Sequence, residues 1–198
     1  MAIIVDKVQK RKDIALACRE LFVHTGIHAL TISQIAKEAG IGKGTIYEYF
    51  SNKEEIVFEL VSILMSEHSA KLQTALTQQN SVKEKVKKFS DFFYDEEHSE
   101  LRSLYKQFVS ISLVSPNEGM VAFQTVCFNN YYIWFEELIQ EGVRSGELIP
   151  ESLGLIKGLF TTAEGMFIAS CATTSMENLE HDLHLYFDNL FNLIEVKK

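Results

Sequence analysis

The sequence predicts an all-α fold: an N-terminal helix-turn-helix module of three helices joined to a larger helical body, about nine helices in all. Three observations lead there. Apolar residues recur three and four apart along most of the 198 residues. Only two prolines, Pro116 and Pro150, interrupt the chain. Few segments alternate apolar and polar residues as a half-buried strand would. Nearly half of the residues are apolar and 14 are Phe, enough for a core without disulfide or metal staples.

Asp6–Thr25 reads as the first helix, with Ile14, Ala17, Cys18, Leu21 and Phe22 on one face and Gly26 as its stop. A short second helix starts at Thr31, where Thr31 and Gln34 have capping-box spacing. Gly40-Ile41-Gly42 makes a tight break, and Lys43–Phe50 is a third helix of about two turns. Ser51 and Glu54 repeat the capping-box spacing, so a fourth helix begins near Lys53 and runs to about Thr77. Further helices are expected near 81–95, 99–114, 118–145, 151–173 and 176–196, with breaks at Asp95–His98, Ser115-Pro116-Asn117, Gly146–Pro150 and Thr173–Ser175. These elements divide into 1–53 and 54–198, with no flexible linker between them.

Charge follows the same division. The net charge is −8, which argues against whole-surface binding to nucleic acid, yet residues 1–53 carry +3 and residues 54–198 carry −11. A basic module on an acidic body would draw DNA to one end. The three cysteines, Cys18, Cys127 and Cys171, are odd in number and widely spaced among apolar neighbours, as expected of reduced thiols in a cytoplasmic protein. Ala2–Val5 is too short for a signal peptide, and the uncharged run Gly119–Phe135 falls short of a membrane span.

The segment Thr31–Lys53, TISQIAKEAGIGKGTIYEYFSNK, carries the chemistry. Two short helices around a glycine-containing turn match a helix-turn-helix, whose second helix enters the major groove of double-stranded DNA. Ile35, Ile41 and Ile46 pack beneath, and Gly44 leaves room for a DNA backbone. Ser33, Lys43 and Thr45 are the candidates for base edges; Tyr47, Tyr49 and Lys53, with Thr31 at a helix N-terminus, are the candidates for phosphates. Glu48 either accepts from a cytosine amine or points to solvent.

In the body, residues 89–135 are rich in aromatics, which suits a mainly apolar or aromatic small molecule. The candidate ligand residues are Phe92, Phe93, Tyr105, Phe108, Phe123, Cys127, Asn130, Tyr131, Trp134, Glu164 and Phe167, and an ordinary aromatic core would use the same residues. The last two helices read as a homodimer interface. Gly154, Gly158 and Gly165 form a small-residue stripe, and Leu183, Tyr186 and Leu190 line one face of the final helix. A two-fold axis would then present two recognition helices to half-sites one DNA turn apart.

The string T-I-x-x-I-A-x-x-A-G-I-x-x-G-T-I-Y-x-Y-F-x-x-K-E from Thr31 to Glu54, with the preceding Leu21-Phe22 and Gly26, resembles the TetR family of regulators. The segment Gly142-Val143-Arg144-Ser145-Gly146-Glu147-Leu148 looks like the turn such proteins carry before their last two long helices. The resemblance implies a homodimer, a divergent ligand-binding body and repression relieved by a small-molecule inducer. No phosphate-binding loop, dinucleotide fingerprint or nucleophile elbow is present, so neither an enzyme nor a cofactor is expected. His181 and His184 near Glu177 and Glu180 read as a solvated polar face in preference to a metal site. A helical lipid or drug carrier is the alternative, and it leaves the basic N-terminal quarter unexplained.

Overall fold

A computed structural model describes residues 6–114 and 117–197; Ala2–Val5, Ser115 and Pro116 lie outside the described residues. Ten α-helices occur among them: α1 (Lys7–Ala17), α2 (Arg19–Thr25), α3 (Ile32–Glu38), α4 (Lys43–Tyr49), α5 (Lys53–Leu76), α6 (Val82–Ser90), α7 (Ser99–Val114), α8 (Glu118–Arg144), α9 (Ile156–Ala172) and α10 (Leu179–Ile194). Short 3-10 turns cover Asp91–Phe93, Glu96–His98 and Pro150–Leu155. The chain forms two compact units, Met1–Ser69 with Glu100–Phe123, and Ala70–Ser99 with Gln124–Lys198. They cut across the functional division drawn at residue 53, because α5 contributes to both.

In the first unit, the single helix expected over Asp6–Thr25 is two. Asp6 caps α1 by accepting from the Val8 and Gln9 amides. At Cys18 (φ −95°, ψ 6°) the backbone leaves helical geometry, and its N–H falls back on the Ala15 carbonyl at 3.2 Å. The Cys18 thiol donates to the Ile35 carbonyl at 3.6 Å, so tertiary contact holds the break. Gly26 ends α2 at φ 85°, a value that favours glycine. The capping box of α3 forms as expected: the Thr31 hydroxyl accepts from the Gln34 amide, and Gln34 Oε1 accepts from the Thr31 amide at 2.9 Å. The box of α5 is shifted by one residue. Asn52, not Ser51, accepts from the Glu55 amide, and Glu55 accepts from the Ser51 amide, both at 2.9 Å. The core is Ile14, Phe22, Ile35, Ile46, Phe50, Ile56, Leu60 and Leu104, all buried.

In the second unit, Phe89 is the hub. Its ring stacks on Trp134 (5.3 Å) and meets Tyr131 and Phe135 edge-on at 5.3 and 4.8 Å. Phe187 and Phe191 of α10 are buried, and the Lys87–Asp188 pair (2.6 Å) ties α6 to α10. The turn after α8 is tightly held. The Gly142 carbonyl accepts from the Glu147 and Leu148 amides, and Glu147 Oε1 accepts from the Val82 amide at 2.6 Å. A Cβ on Gly142 would lie 2.8 Å from both Leu148 Cδ1 and Val82 Cγ2, so any larger residue would push these two buried side chains aside. Leu148 and Glu195 form an isolated antiparallel bridge beyond α10.

Candidate nucleic-acid interface

The α3–α4 pair is built from a few buried residues and a polar outer surface. Ile35, Ala36, Ile46 and Phe50 are buried; Ser33, Lys43, Gly44, Tyr47 and Glu48 are exposed, and Thr45 and Tyr49 are half-buried. Gly40 (φ 66°) turns the chain between the helices, and the Ile41 amide closes the turn on the Ala36 carbonyl at 3.0 Å. Nothing lies within 4 Å of a Cβ built on Gly44, so that surface is open. Tyr47 is 53% exposed, so its ring and hydroxyl are both open to a partner.

Two of the expected phosphate contacts are placed differently. Lys53 donates to the carbonyls of His28 and Leu30, both at 3.0 Å. Its ammonium satisfies backbone acceptors in the loop before α3 and is a strap first. The Thr31 hydroxyl donates to Gln34 Oε1 at 2.8 Å, so its hydrogen is spent within the capping box.

Arg11 is a positioning residue that the sequence reading missed. Its Nε donates to Glu59 at 3.0 Å, its Nη1 to the Tyr49 carbonyl, and its guanidinium lies 4.2 Å from the Phe50 ring centre. One side chain thus joins α1, the end of α4 and the first turns of α5. The signal available was its place one turn before the buried Ile14 and Ala15. Arg19 pairs with Glu100 through both nitrogens Nε and Nη2, and Gln107 accepts from the Ile27 amide at 2.8 Å. The first fastens α2 to α7 and the second the loop after α2, while Gln107 Nε2 also donates to the Phe22 carbonyl of α2 at 3.4 Å.

The candidate ligand residues fall into separate groups. In the first unit, Phe123 stacks on Phe58 (4.6 Å, 13°), and Phe108 lies 5.7 Å from Phe123; Tyr105 is half-buried on the same helix as Phe108. In the second, Phe92, Phe93 and Phe167 pack together, with Phe93–Phe167 at 5.6 Å, and Tyr131 and Trp134 meet Phe89. Cys127 is half-buried, and burial pushes its thiol up to about 11; burial also raises the Tyr131 hydroxyl. Glu164 is half-buried on α9, whereas Asn130 is exposed on α8 and joins no aromatic cluster. Phe58, Phe89, Phe135 and Phe160 complete these clusters and were absent from the candidate set. A cleft of about 360 Å³ in the second unit is lined by Trp134, Leu76, Leu138, Gln73, Thr77, Lys85, Glu137 and Glu141, and shares only Trp134 with that set.

On α9, Gly158 and Gly165 are exposed, as is Gly154 in the preceding 3-10 turn, and a Cβ on any of the three would meet nothing within 4 Å. Ile168 of α9 and Leu185 and Leu193 of α10 are exposed beside them in sequence. Leu183 is fully buried, which takes it out of any intermolecular contact, while Tyr186 and Leu190 are half-buried. The stretch Pro150–Ala172 is long and apolar enough to cross a membrane, with 28% of its apolar window buried. His184 lies 3.0 Å from the Tyr94 hydroxyl, which also donates to Asp91.

Paired short helices on a three-helix core, with an exposed polar second helix, define a helix-turn-helix DNA-binding protein. Residues 14–60 match the family model described as bacterial regulatory proteins, tetR family. The uncharacterized HTH-type transcriptional regulator YhgD of Bacillus subtilis is 26% identical over 145 residues, 72% of this chain and 74% of its own. A TetR-family regulator from Cytophaga hutchinsonii superposes with a TM-score of 0.80 at 16% identity, covering 99% of this chain and all of the other. FadR of Bacillus subtilis, solved in complex with stearoyl-CoA, gives 0.64 at 23% identity over 91% of this chain and 95% of its own. The segment 14–60 is thus that of the tetR family of bacterial regulatory proteins, and nearly the whole chain shares the fold of a TetR-family regulator.

Proposed function

We propose that this chain is a cytoplasmic repressor that docks as a homodimer on a palindromic operator and is released by a mainly apolar small molecule. The observation that carries the reading is the face of α4. Lys43, Gly44, Thr45 and Tyr47 are presented outward while Ile46 and Phe50 anchor the helix from beneath. Residues 1–53 supply DNA binding in this reading, with Ser33, Lys43 and Thr45 on base edges and Tyr47 and Tyr49 on phosphates. Residues 54–198 supply the ligand site and the dimer.

The aromatic clusters around Phe89 and Phe93 support an apolar ligand, as does the stearoyl-CoA bound by FadR. The exposed glycines of the Pro150–Ala172 stretch, with Ile168, Leu185 and Leu193, support a second copy as the cover of α9 and α10. Helix α5 is continuous from Lys53, next to the recognition helix, to Leu76, and so carries a ligand-induced shift toward the DNA module. Release requires that the ligand bind the non-docking state more tightly than the docking one.

Selection from a random duplex pool tests the reading, with Tyr47→Ala in parallel. The expected result is a palindromic site that the variant binds poorly. Failure of the wild-type chain to enrich any site, at low salt and without ligand, overturns it. A thermal-shift screen comparing long-chain acyl thioesters with hydrophilic metabolites tests the ligand class; stabilisation by hydrophilic compounds alone refutes it.

A further inference from the structure

The N-terminal module carries eight cationic side chains: Lys7, Lys10, Arg11, Lys12, Arg19, Lys37, Lys43 and Lys53. The structure spends three of them internally. Arg11 is held by Glu59 and the Tyr49 carbonyl, Arg19 by Glu100, and Lys53 by two loop carbonyls. Among the described residues, no carboxylate lies within ion-pair distance of the other five. Lys37 and Lys43 belong to the helix-turn-helix itself. The remaining three, Lys7, Lys10 and Lys12, lie on α1. The carboxylates nearest to them in sequence are engaged elsewhere: Asp6 caps the helix, and Asp13 accepts from Gln9 Nε2 at 2.8 Å.

Resting on the DNA-binding reading above, we infer that Lys7 and Lys10 bind phosphates of duplex DNA beyond the part read by α4. The placement follows from α1. Its Arg11 reaches the last carbonyl of α4, so α1 packs at the C-terminal end of the recognition helix. At 100° per residue, Lys7 lies about 40° from Arg11, one turn and about 6 Å nearer the N-terminus. Measured from Arg11, Lys7 and Lys10 lie about 40° and about 100° to one side, and Lys12 lies about 100° to the other. Lys7 is exposed and Lys10 half-buried. Two ammonium groups on one ridge, unpaired and beside the recognition helix, fit a phosphate backbone. A helix face of this kind adds affinity without sequence information.

The test measures binding of the selected duplex, with flanks, by fluorescence anisotropy from about 50 to about 200 mM salt. The chains compared are wild type, Lys7→Gln/Lys10→Gln, and Lys12→Gln as the charge control. Two lost contacts should flatten the log–log salt slope by about 1.8, so wild-type affinity should fall about twelvefold more than the variant's over that range. The variant should select the same sequence as wild type, and Lys12→Gln should keep the wild-type slope. A wild-type slope in the double variant overturns the inference, as does an equal loss in Lys12→Gln, which would reduce the effect to net charge. Absence of salt-dependent binding by the wild-type chain would instead remove the DNA-binding reading itself.

Discussion

Gly165→Ala separates what α9 does within the chain from what it does between chains. The residue sits in mid-helix and exposed, and a Cβ there meets nothing within 4 Å. Within one chain the substitution should stabilise by about 0.8–1 kcal/mol, because alanine gives up less backbone freedom than glycine on joining a helix. In the proposed dimer the same methyl would appear twice across the two-fold axis, where absence of a side chain would let the helices close up. Overpacking of this kind costs about 1–3 kcal/mol per site, hence about 2–6 kcal/mol for the pair. The dimer dissociation constant should therefore rise between about thirtyfold and about twenty-thousandfold. Sedimentation velocity over a dilution series reads the dimer; urea unfolding at concentrations below dissociation reads the chain. A variant that is more stable as a monomer and a weaker dimer supports the interface. A variant that dimerises as tightly as wild type refutes the reasoning. Gly142→Ala is the internal control, since its methyl collides with Leu148 and Val82 at 2.8 Å within the chain. It should lower chain stability and leave the association of folded chains unchanged.

Arg11→Met should destabilise the first unit by about 1–3 kcal/mol in urea unfolding, through loss of the Glu59 pair, the bond to the Tyr49 carbonyl and the contact over Phe50; an unchanged midpoint would remove Arg11 from its positioning role. Burial raises both the Cys18 and Cys127 thiols from the ordinary 9.0 to about 11, so well below pH 9 they stay protonated in folded and unfolded chains alike and add no pH dependence. As pH climbs from 9 towards 11 the unfolded thiols ionise first, and stability should fall across that window; a flat profile would contradict it. At pH 8 a thiol reagent should label exposed Cys171 well before the other two.

The local chemistry of the DNA module was legible because it is written in short-range terms. The Thr31–Gln34 box, the glycine turn at Gly40 and the buried Ile35 and Ile46 each depend on neighbours within a few residues. What escaped notice was long-range. The break at Cys18 depends on a carbonyl 17 residues away, and helical periodicity runs through it without interruption. Lys53 could be assigned to DNA from its type and place, but the two carbonyls that hold it lie 23 and 25 residues earlier. In the body, aromatic richness was visible, yet the partner of each ring was not. Phe123 joins Phe58, and Phe89 gathers Tyr131, Trp134 and Phe135, pairings that no spacing encodes. Leu183 and Leu193 look alike on a helical wheel drawn from sequence, but one is fully buried and the other is 76% exposed.

The break at Cys18 gives the N-terminal unit a joint. On one side, α1 is fastened by Arg11 to the end of α4 and to α5. On the other, α2 is fastened by Arg19 and Gln107 to α7. An unbroken helix would make a rigid lever of these two attachments, so that any tilt of α7 would be transmitted whole to the recognition helix. With the ladder interrupted, each end takes its direction from its own anchor, and the thiol bonded to the Ile35 carbonyl fixes the angle between them. The change of direction between these two anchorages thus falls on a single residue whose side chain is fully buried.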